Sequence, residues 1–217
     1  MLLFAALLLL AAGLSPAGAQ TPLPGCVPVT LDPAGSQLRP GLVVDRQDRI
    51  LVTWFDSTET STRLMLQGFD RLGGRLGPVA VGSIYPLTRK SRPDLSVNHN
   101  GVALLAWADG IWPASYIFFR RFSTTGSAME TNARPDAVAR RIRGNEPSAG
   151  IDSTGIVYLV WQDETADGLD VFGARFLAAD SLGYGAQDTV THQWVGTHRL
   201  NTVAAGDQLD PDIAVDR

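Results

Sequence analysis

The 217-residue chain has one cysteine, Cys26, so no disulfide can form within it. Charge is sparse: only 18% of residues are Asp, Glu, Lys or Arg, and the net charge is −4. The basic residues are scattered, and Arg140-Arg141-Ile142-Arg143 is too short to count as a tract, which argues against nucleic acid as a partner. Catalytic signatures are missing as well. There is no Gly-x-Ser-x-Gly, no His-Glu-x-x-His and no phosphate loop. After the first twenty residues no long apolar run recurs, so no membrane span is expected once the leader is removed.

That leader, MLLFAALLLLAAGLSPAGAQ, reads as an export signal over residues 1–19. An apolar run from Leu2 to Leu14 meets helix-breaking Ser15-Pro16 and then the small residues Ala17-Gly18-Ala19 before Gln20. The run is short for a bilayer of roughly 30 Å, and the protein is expected to be secreted, periplasmic or displayed on the cell surface. Leu23-Pro24-Gly25-Cys26 only faintly resembles a lipoprotein site, and Cys26 is read as an inert thiol.

What the chain has in quantity is turn formers, 22 Gly and 13 Pro, beside 45% hydrophobic residues. These belong to an internal repeat. RPGLVVDRQDRILVTWFD from Arg39, RPDLSVNHNGVALLAWAD from Arg92 and EPSAGIDSTGIVYLVWQD from Glu146 are three copies, and DPDIAVDR from Asp210 starts a fourth. Pro40, Pro93, Pro147 and Pro211 lie 53, 54 and 64 residues apart. Trp54, Trp107 and Trp161 each follow their proline by 14 residues, and Phe69, Phe122 and Phe176 follow the tryptophans by 15.

Each part of the template has a physical meaning. Proline is expected to open a short strand, where a missing N–H is tolerated. Asp45, Asn98, Asp152 and Asp216 come next, followed in the first three units by Asp48, Gly101 or Gly155, a combination that forms a tight hairpin. The apolar runs Ile50–Phe55, Val102–Trp107 and Ile156–Trp161 predict strands covered on both faces. A third strand ends at Phe69, Phe122 or Phe176, and Pro78–Gly82 suggests a weaker fourth. Four short antiparallel strands per unit of about fifty residues predict an all-β fold, a β-propeller of four-stranded blades, with a solenoid or a sandwich as the competing all-β forms.

The expected organisation is 20–35 as an N-terminal segment, 36–90 as blade 1, 91–143 as blade 2, 144–206 as blade 3 and 207–217 as the start of another. Gly-x-Gln-Leu-x-Pro occurs at both Gly35–Pro40 and Gly206–Pro211. By that parallel, Val27–Leu31 would be an outer strand that completes the ring's last blade. Three blades fall short of the four to eight a ring needs, so the ring is expected to be incomplete here and the chain to be the N-terminal portion of a longer protein.

The pattern of Pro93-Asp94-Leu95-Ser96-Val97-Asn98, then Gly101, an apolar strand, Trp107-Ala108-Asp109 and Arg121-Phe122 resembles the blade repeats of secreted bacterial β-propeller proteins. These are loosely similar to sialidase-like propellers, and the resemblance covers about residues 36–217. The sialidase turn motif Ser-x-Asp-x-Gly-x-Thr-Trp is only echoed by Asp152-Ser153-Thr154-Gly155, and no catalytic residue of that family falls on a matching position.

Candidate sites divide into template and non-template residues. The template prolines, tryptophans and phenylalanines are read as structural. Asp56, Asp109 and Asp163, two residues after each tryptophan, would cap the turn leaving the strand, or ring one face and attract a calcium ion. Outside the template, Trp112 and Tyr116 sit in DGIWPASY, on a loop expected at the same face as the turns before each proline, where Trp112 is read as packing locally against Pro113 and Tyr116, or else as stacking on a sugar or partner. Unit three is longer than its siblings around YGAQDTVTHQWVGTHR, which holds His192, Trp194 and His198; the His pair lacks a nearby third metal ligand. No cofactor is expected. The leading functional reading is an exported, non-enzymatic module binding a protein or glycan. A sialidase-like or other glycan-hydrolysing propeller and a structural stalk are the alternatives. If the leader is an export signal, N-terminal sequencing of the exported protein will give Gln20 as its first residue.

Overall fold

The computed structural model describes residues 28–30, 35–58, 60–83, 87, 92–111, 114–129, 145–176, 198–203 and 205–216. The leader, Cys26, Trp112, His192 and Trp194 lie outside the described residues, as does the side chain of Tyr116.

The described residues form three antiparallel sheets, one per repeat. Blade 1 is β1 (Ser36–Val44), β2 (Ile50–Ser57), β3 (Thr62–Phe69) and β4 (Arg75–Val81), in that order across the sheet. Blade 2 has β5 (Asp94–Val97), β6 (Val102–Ile111) and β7 (Ala114–Ser123), and a single Phe122–Ala128 bridge beyond them. Blade 3 has β8 (Asn145–Ile151), β9 (Val157–Thr165), β10 (Gly168–Phe176) and the two-residue β11 (His198–Arg199). The architecture is that of consecutive blades of a β-propeller, whose ring these blades leave incomplete.

The first hairpin is built identically three times. The N–H groups of Asp45, Asn98 and Asp152 donate to the carbonyls of Arg49, Val102 and Ile156. The N–H groups of Asp48, Gly101 and Gly155 donate back to the carbonyls of Asp45, Asn98 and Asp152. Those three donors all have positive φ, 58°, 75° and 89°, which is why the template asks for Gly or a short polar residue there. Side chains finish the turn: Asp45, Asn98 and Asp152 each accept N–H bonds from residues two and four further on.

Packing between blades supplies the core. One face of blade 2, with Leu95, Val97, Ala103, Leu105, Trp107, Phe118 and Phe122, packs on Val43, Leu51, Phe55, Leu64, Leu66 and Ala80 of blade 1. The equivalent face of blade 3, around Ala149, Ile151, Leu159, Trp161 and Phe176, packs on Leu104, Ala106, Ala108, Ile117 and Phe119 of blade 2. All three template tryptophans are buried, and Trp107 and Trp161 stack on Phe118 and Phe172 of the next strand. Gly68 allows the close approach: a Cβ there would lie 2.6 Å from the Thr124 carbonyl oxygen of the neighbouring blade. Polar links reinforce the junctions. Thr124 donates its hydroxyl to Asp45, and the amides of Asn98 and Asn100 donate to the carbonyls of Asp152 and Ser153.

Three expectations need correction. The second strand does not stop near its tryptophan but runs on to Ser57, Ile111 or Thr165, because the partner strand keeps pairing to the same length. Asp56, Asp109 and Asp163 therefore lie inside strands, opposite Arg63, Tyr116 and Asp170. The prolines do not uniformly open strands either: Pro93 precedes β5, but Pro40 and Pro147 sit within β1 and β8 at a shift in register. Proline's missing N–H is tolerated at such a bulge as well as at a strand start. Finally, β4 begins at Arg75 rather than near Pro78.

Since Trp107 is buried between two blades, Trp107→Ala should lower unfolding free energy by about 3–5 kcal/mol, read from urea melts followed by far-ultraviolet circular dichroism.

Candidate functional site

Successive strands alternate direction, so each blade has two ends. The Asx-turn end is closed by the hydrogen bonds given above. At the other end, where each chain segment enters its innermost strand, the three template prolines Pro93, Pro147 and Pro211 converge on one cleft of about 310 Å³. Its remaining lining is Arg92, Asp94, Glu146, Ser148, Asp210 and Asp212, that is, the residues immediately before and after each proline.

The backbone there is unusual. Arg39, Glu146 and Asp210, each directly before a template proline, have φ of 51°, 48° and 54°. A residue before proline ordinarily adopts an extended conformation, and a non-glycine residue at positive φ is strained. In β1 and β8 this conformation coincides with the register shift. Strain of this kind persists only where surrounding structure holds it. Here Gln162, buried in β9, accepts the Asp210 N–H at 3.2 Å.

Behind the prolines lies a three-residue bridge across three repeats. The Ser148 hydroxyl is 3.0 Å from Asp94 Oδ2 and 3.0 Å from Asp212 Oδ1. Asp94 Oδ2 also accepts the Ala149 N–H at 2.7 Å, and Asp212 Oδ1 accepts its neighbour Ile213 N–H at 2.9 Å. The single hydroxyl proton can be donated to either carboxylate, and the same oxygen accepts the Ile213 N–H at 3.3 Å. The shared Ser148 hydroxyl keeps those two carboxylate oxygens no more than about 6 Å apart and occupies the space between them. Arginine and carboxylates around proline rings offer charged hydrogen-bond partners beside apolar surface, the mixture that polar, ring-shaped ligands require.

The residues singled out from sequence are placed as follows. Asp56, Asp109 and Asp163 stand at the cleft's end of their blades but on separate sheets, and Asp56 accepts a hydrogen bond from Gln37. Among the described residues, no group of three His, Cys, Asp or Glu side chains is arranged to hold a metal ion. The β6–β7 ladder runs toward the cleft's end as far as the pairs Gly110–Ser115 and Ile111–Ala114, and Trp112 lies outside the described residues. His198 belongs to the exposed outer strand β11, paired with Gly173, and not to a loop. The cleft residues Arg92, Asp94, Glu146, Ser148, Asp210 and Asp212 were missed. A signal was present, since the residue before every template proline is charged: Arg39, Arg92, Glu146 and Asp210.

A second polar network pins the outer edge of blade 3. Buried Asp170 accepts the Asn201 amide at 2.6 Å, the Thr165 hydroxyl at 3.1 Å and Arg199 at 3.4 Å. The Asn201 bond foremost, with Thr165 and Arg199, outweighs burial and holds the Asp170 carboxyl below the ordinary aspartate range. Asp45 and Asp152 are also lowered. Burial pushes each up, but backbone N–H groups and the Thr124, Arg49, Thr154 and Tyr158 side chains together pull further down.

No protein-family model and no curated protein matches the chain. Among solved structures, it is similar to an endo-arabinase from Bacteroides thetaiotaomicron, with a TM-score of 0.46 and 13% identity over 80% of this chain and 66% of that one. A thermostable family-43 glycoside hydrolase gives 0.43 and 11% over 79% and 57%. A polysaccharide lyase gives 0.43 and 10% over 69% and 40%. The chain thus spans less than two thirds of the length of each of these structures.

A depressed carboxyl contributes stability that is complete above its unfolded pKa of ~3.9 and is lost as pH falls through the lower folded value. Asp170→Asn should therefore be less stable than the parent at neutral pH, with the gap closing below about pH 4, as measured by urea midpoints across that range.

Proposed function

We propose that the chain is part of an exported β-propeller that binds a glycan at the axial cleft between Pro93, Pro147 and Pro211. The observation that carries this reading is the convergence of three repeats there. Each brings a charged residue before its proline and a polar one after it, beside apolar proline rings. Among the lining residues, Asp94, Ser148 and Asp212 also tie the three repeats together by hydrogen bonds, while Arg92 and Glu146 add charge of both signs to the cleft. Sugars offer many hydroxyls to carboxylates and guanidinium groups, and their C–H faces lie well on flat apolar rings.

A second reading is glycan cleavage at the same place. It is favoured by the two carboxyl groups, Asp94 and Asp212, that line the same cleft. In that case one carboxyl donates a proton to the leaving oxygen and the other activates water or attacks directly.

Glycan-array binding with the parent and with Asp94→Asn and Asp212→Asn separates these outcomes. Asparagine keeps an acceptor for the Ala149 N–H, so folding should survive. Binding is expected to weaken at least ~10-fold in each variant, the effect of losing one charge-assisted hydrogen bond. Glycan binding unchanged in both variants would refute the cleft as the site. Turnover of fluorogenic glycosides by the parent, lost in both variants, would establish cleavage over simple binding.

A further inference from the structure

The two ends of the blades differ in charge as well as in hydrogen bonding. At the Asx-turn end the signs alternate, with Arg46, Arg49 and Arg71 beside Asp45, Asp48 and Asp70. Carboxylate oxygens of Asp45, Asp70 and Asp152 are committed there to backbone N–H groups. At the cleft's end of blades 2 and 3 acidic residues prevail. Asp109 in β6, Asp163 and Glu164 in β9 and Asp167 in the turn after it join the carboxylates of the cleft itself. Arg39 and Arg63, at the same end of blade 1, are not part of the cleft's lining.

Inside the cleft the carboxylates keep unused oxygens. Both bonds to Asp94 fall on Oδ2 and both bonds to Asp212 fall on Oδ1. Oδ1 of Asp94 and Oδ2 of Asp212 therefore accept nothing from the described residues. The side chains of Glu146 and Asp210 make no hydrogen bond or ion pair with described residues, and neither does that of Arg92, the one guanidinium in the lining. Among the described residues, no three His, Cys, Asp or Glu side chains are grouped to hold a metal ion. Four carboxylates spread around about 310 Å³ suit several separated positive groups better than one ion.

We infer that the glycan taken by this cleft carries free, protonated amino groups on its sugar rings, and is neither a neutral glycan nor a uronic-acid one. The inference rests on the glycan reading of the cleft and narrows it. A ligand that covers ionised carboxylates strips them of water, and positive charge offsets that loss best. Sugar hydroxyls bring hydrogen bonds without charge, and a uronate sets like charge against like. An amine borne directly on a sugar ring is held at fixed spacing. A lysine ammonium must immobilise a four-carbon stem to reach the same oxygens, which disfavours a basic peptide. Arg92 remains for a ring oxygen or a hydroxyl, at a place where an ammonium is repelled.

The test is isothermal titration of the full-length exported protein with glucosamine, N-acetylglucosamine and galacturonic acid oligomers of equal length, and with oligolysine. At about pH 5.5, above the ordinary carboxylate range, the glucosamine oligomer should bind at least ~10-fold tighter than its acetylated form and lose that advantage as salt rises. The uronate should not bind. Glu146→Gln and Asp210→Asn should each reduce the preference for the amine over the acetylated form by ~3-fold or more, at unchanged melting temperature, because neither side chain bonds to the described residues. Equal binding of amine and acetylated forms, tighter binding of the uronate, or a preference unaltered in both variants overturns this inference and leaves the glycan reading standing. Oligolysine binding as tightly as the glucosamine oligomer overturns it too, since charge alone would then suffice. If none of the three oligosaccharides binds, the glycan reading itself falls and the inference falls with it.

Discussion

A four-stranded blade of this repeat has two apolar faces and cannot bury either alone. This one constraint organises the molecule. Each tryptophan face needs the aliphatic flank of the blade before it, and each flank needs the tryptophan face of the blade after it. Stability is therefore shared along the chain as nearest-neighbour contacts. The template residues at fixed spacing are those that meet at these junctions. Even the turns obey it: Thr124 of blade 2 completes the Asp45 turn of blade 1, and Asn98 of blade 2 reaches the Asp152 turn of blade 3.

The two ends of the blades have consequently different freedoms. At the Asx-turn end, carboxylate and amide oxygens are committed to backbone N–H groups, and little is left over for a ligand. At the proline end, the residues beside Pro93, Pro147 and Pro211 line the cleft. Arg39, Glu146 and Asp210 take positive φ before their prolines, at a cost of order 1–3 kcal/mol each. Three of the four units share this conformation, and Arg92 in the second does not. The side chains it displays differ from unit to unit.

Fold was legible in the sequence because the fold is what repeats. Pro40, Trp54 and Phe69, with their counterparts at equal spacing, report strand, buried strand and hairpin partner without knowledge of contacts. Strand ends were less legible. Asp56, Asp109 and Asp163 look like turn residues by type, yet ladder pairing carries the strands past them, since pairing depends on the partner's length and not on local preference. The cleft was hidden for a similar reason. Asp94, Ser148 and Asp212 sit 54 and 64 residues apart, and only the ring geometry puts one serine hydroxyl between two carboxylates. Attention to residues outside the template led to Trp112 and His192, while the residues that line the cleft are variable positions inside it, next to the prolines.

Those variable positions explain how one template can build a site without giving up its packing. Taken in chain order, the residues flanking the prolines are Arg39 and Gly41, Arg92 and Asp94, Glu146 and Ser148, Asp210 and Asp212. Charge before the proline passes from basic in the first two units to acidic in the last two. None of these side chains enters the apolar junctions between blades. A substitution there changes what the axis offers a ligand and leaves the tryptophan contacts alone, whereas a substitution at Trp107 or Phe122 does the reverse. Because every blade added to a ring adds one such pair, the number of blades and the composition of the axial site are coupled. In the cleft itself this leaves one guanidinium, Arg92, among four carboxylates, Asp94, Glu146, Asp210 and Asp212, so the axial end of these blades is predominantly acidic.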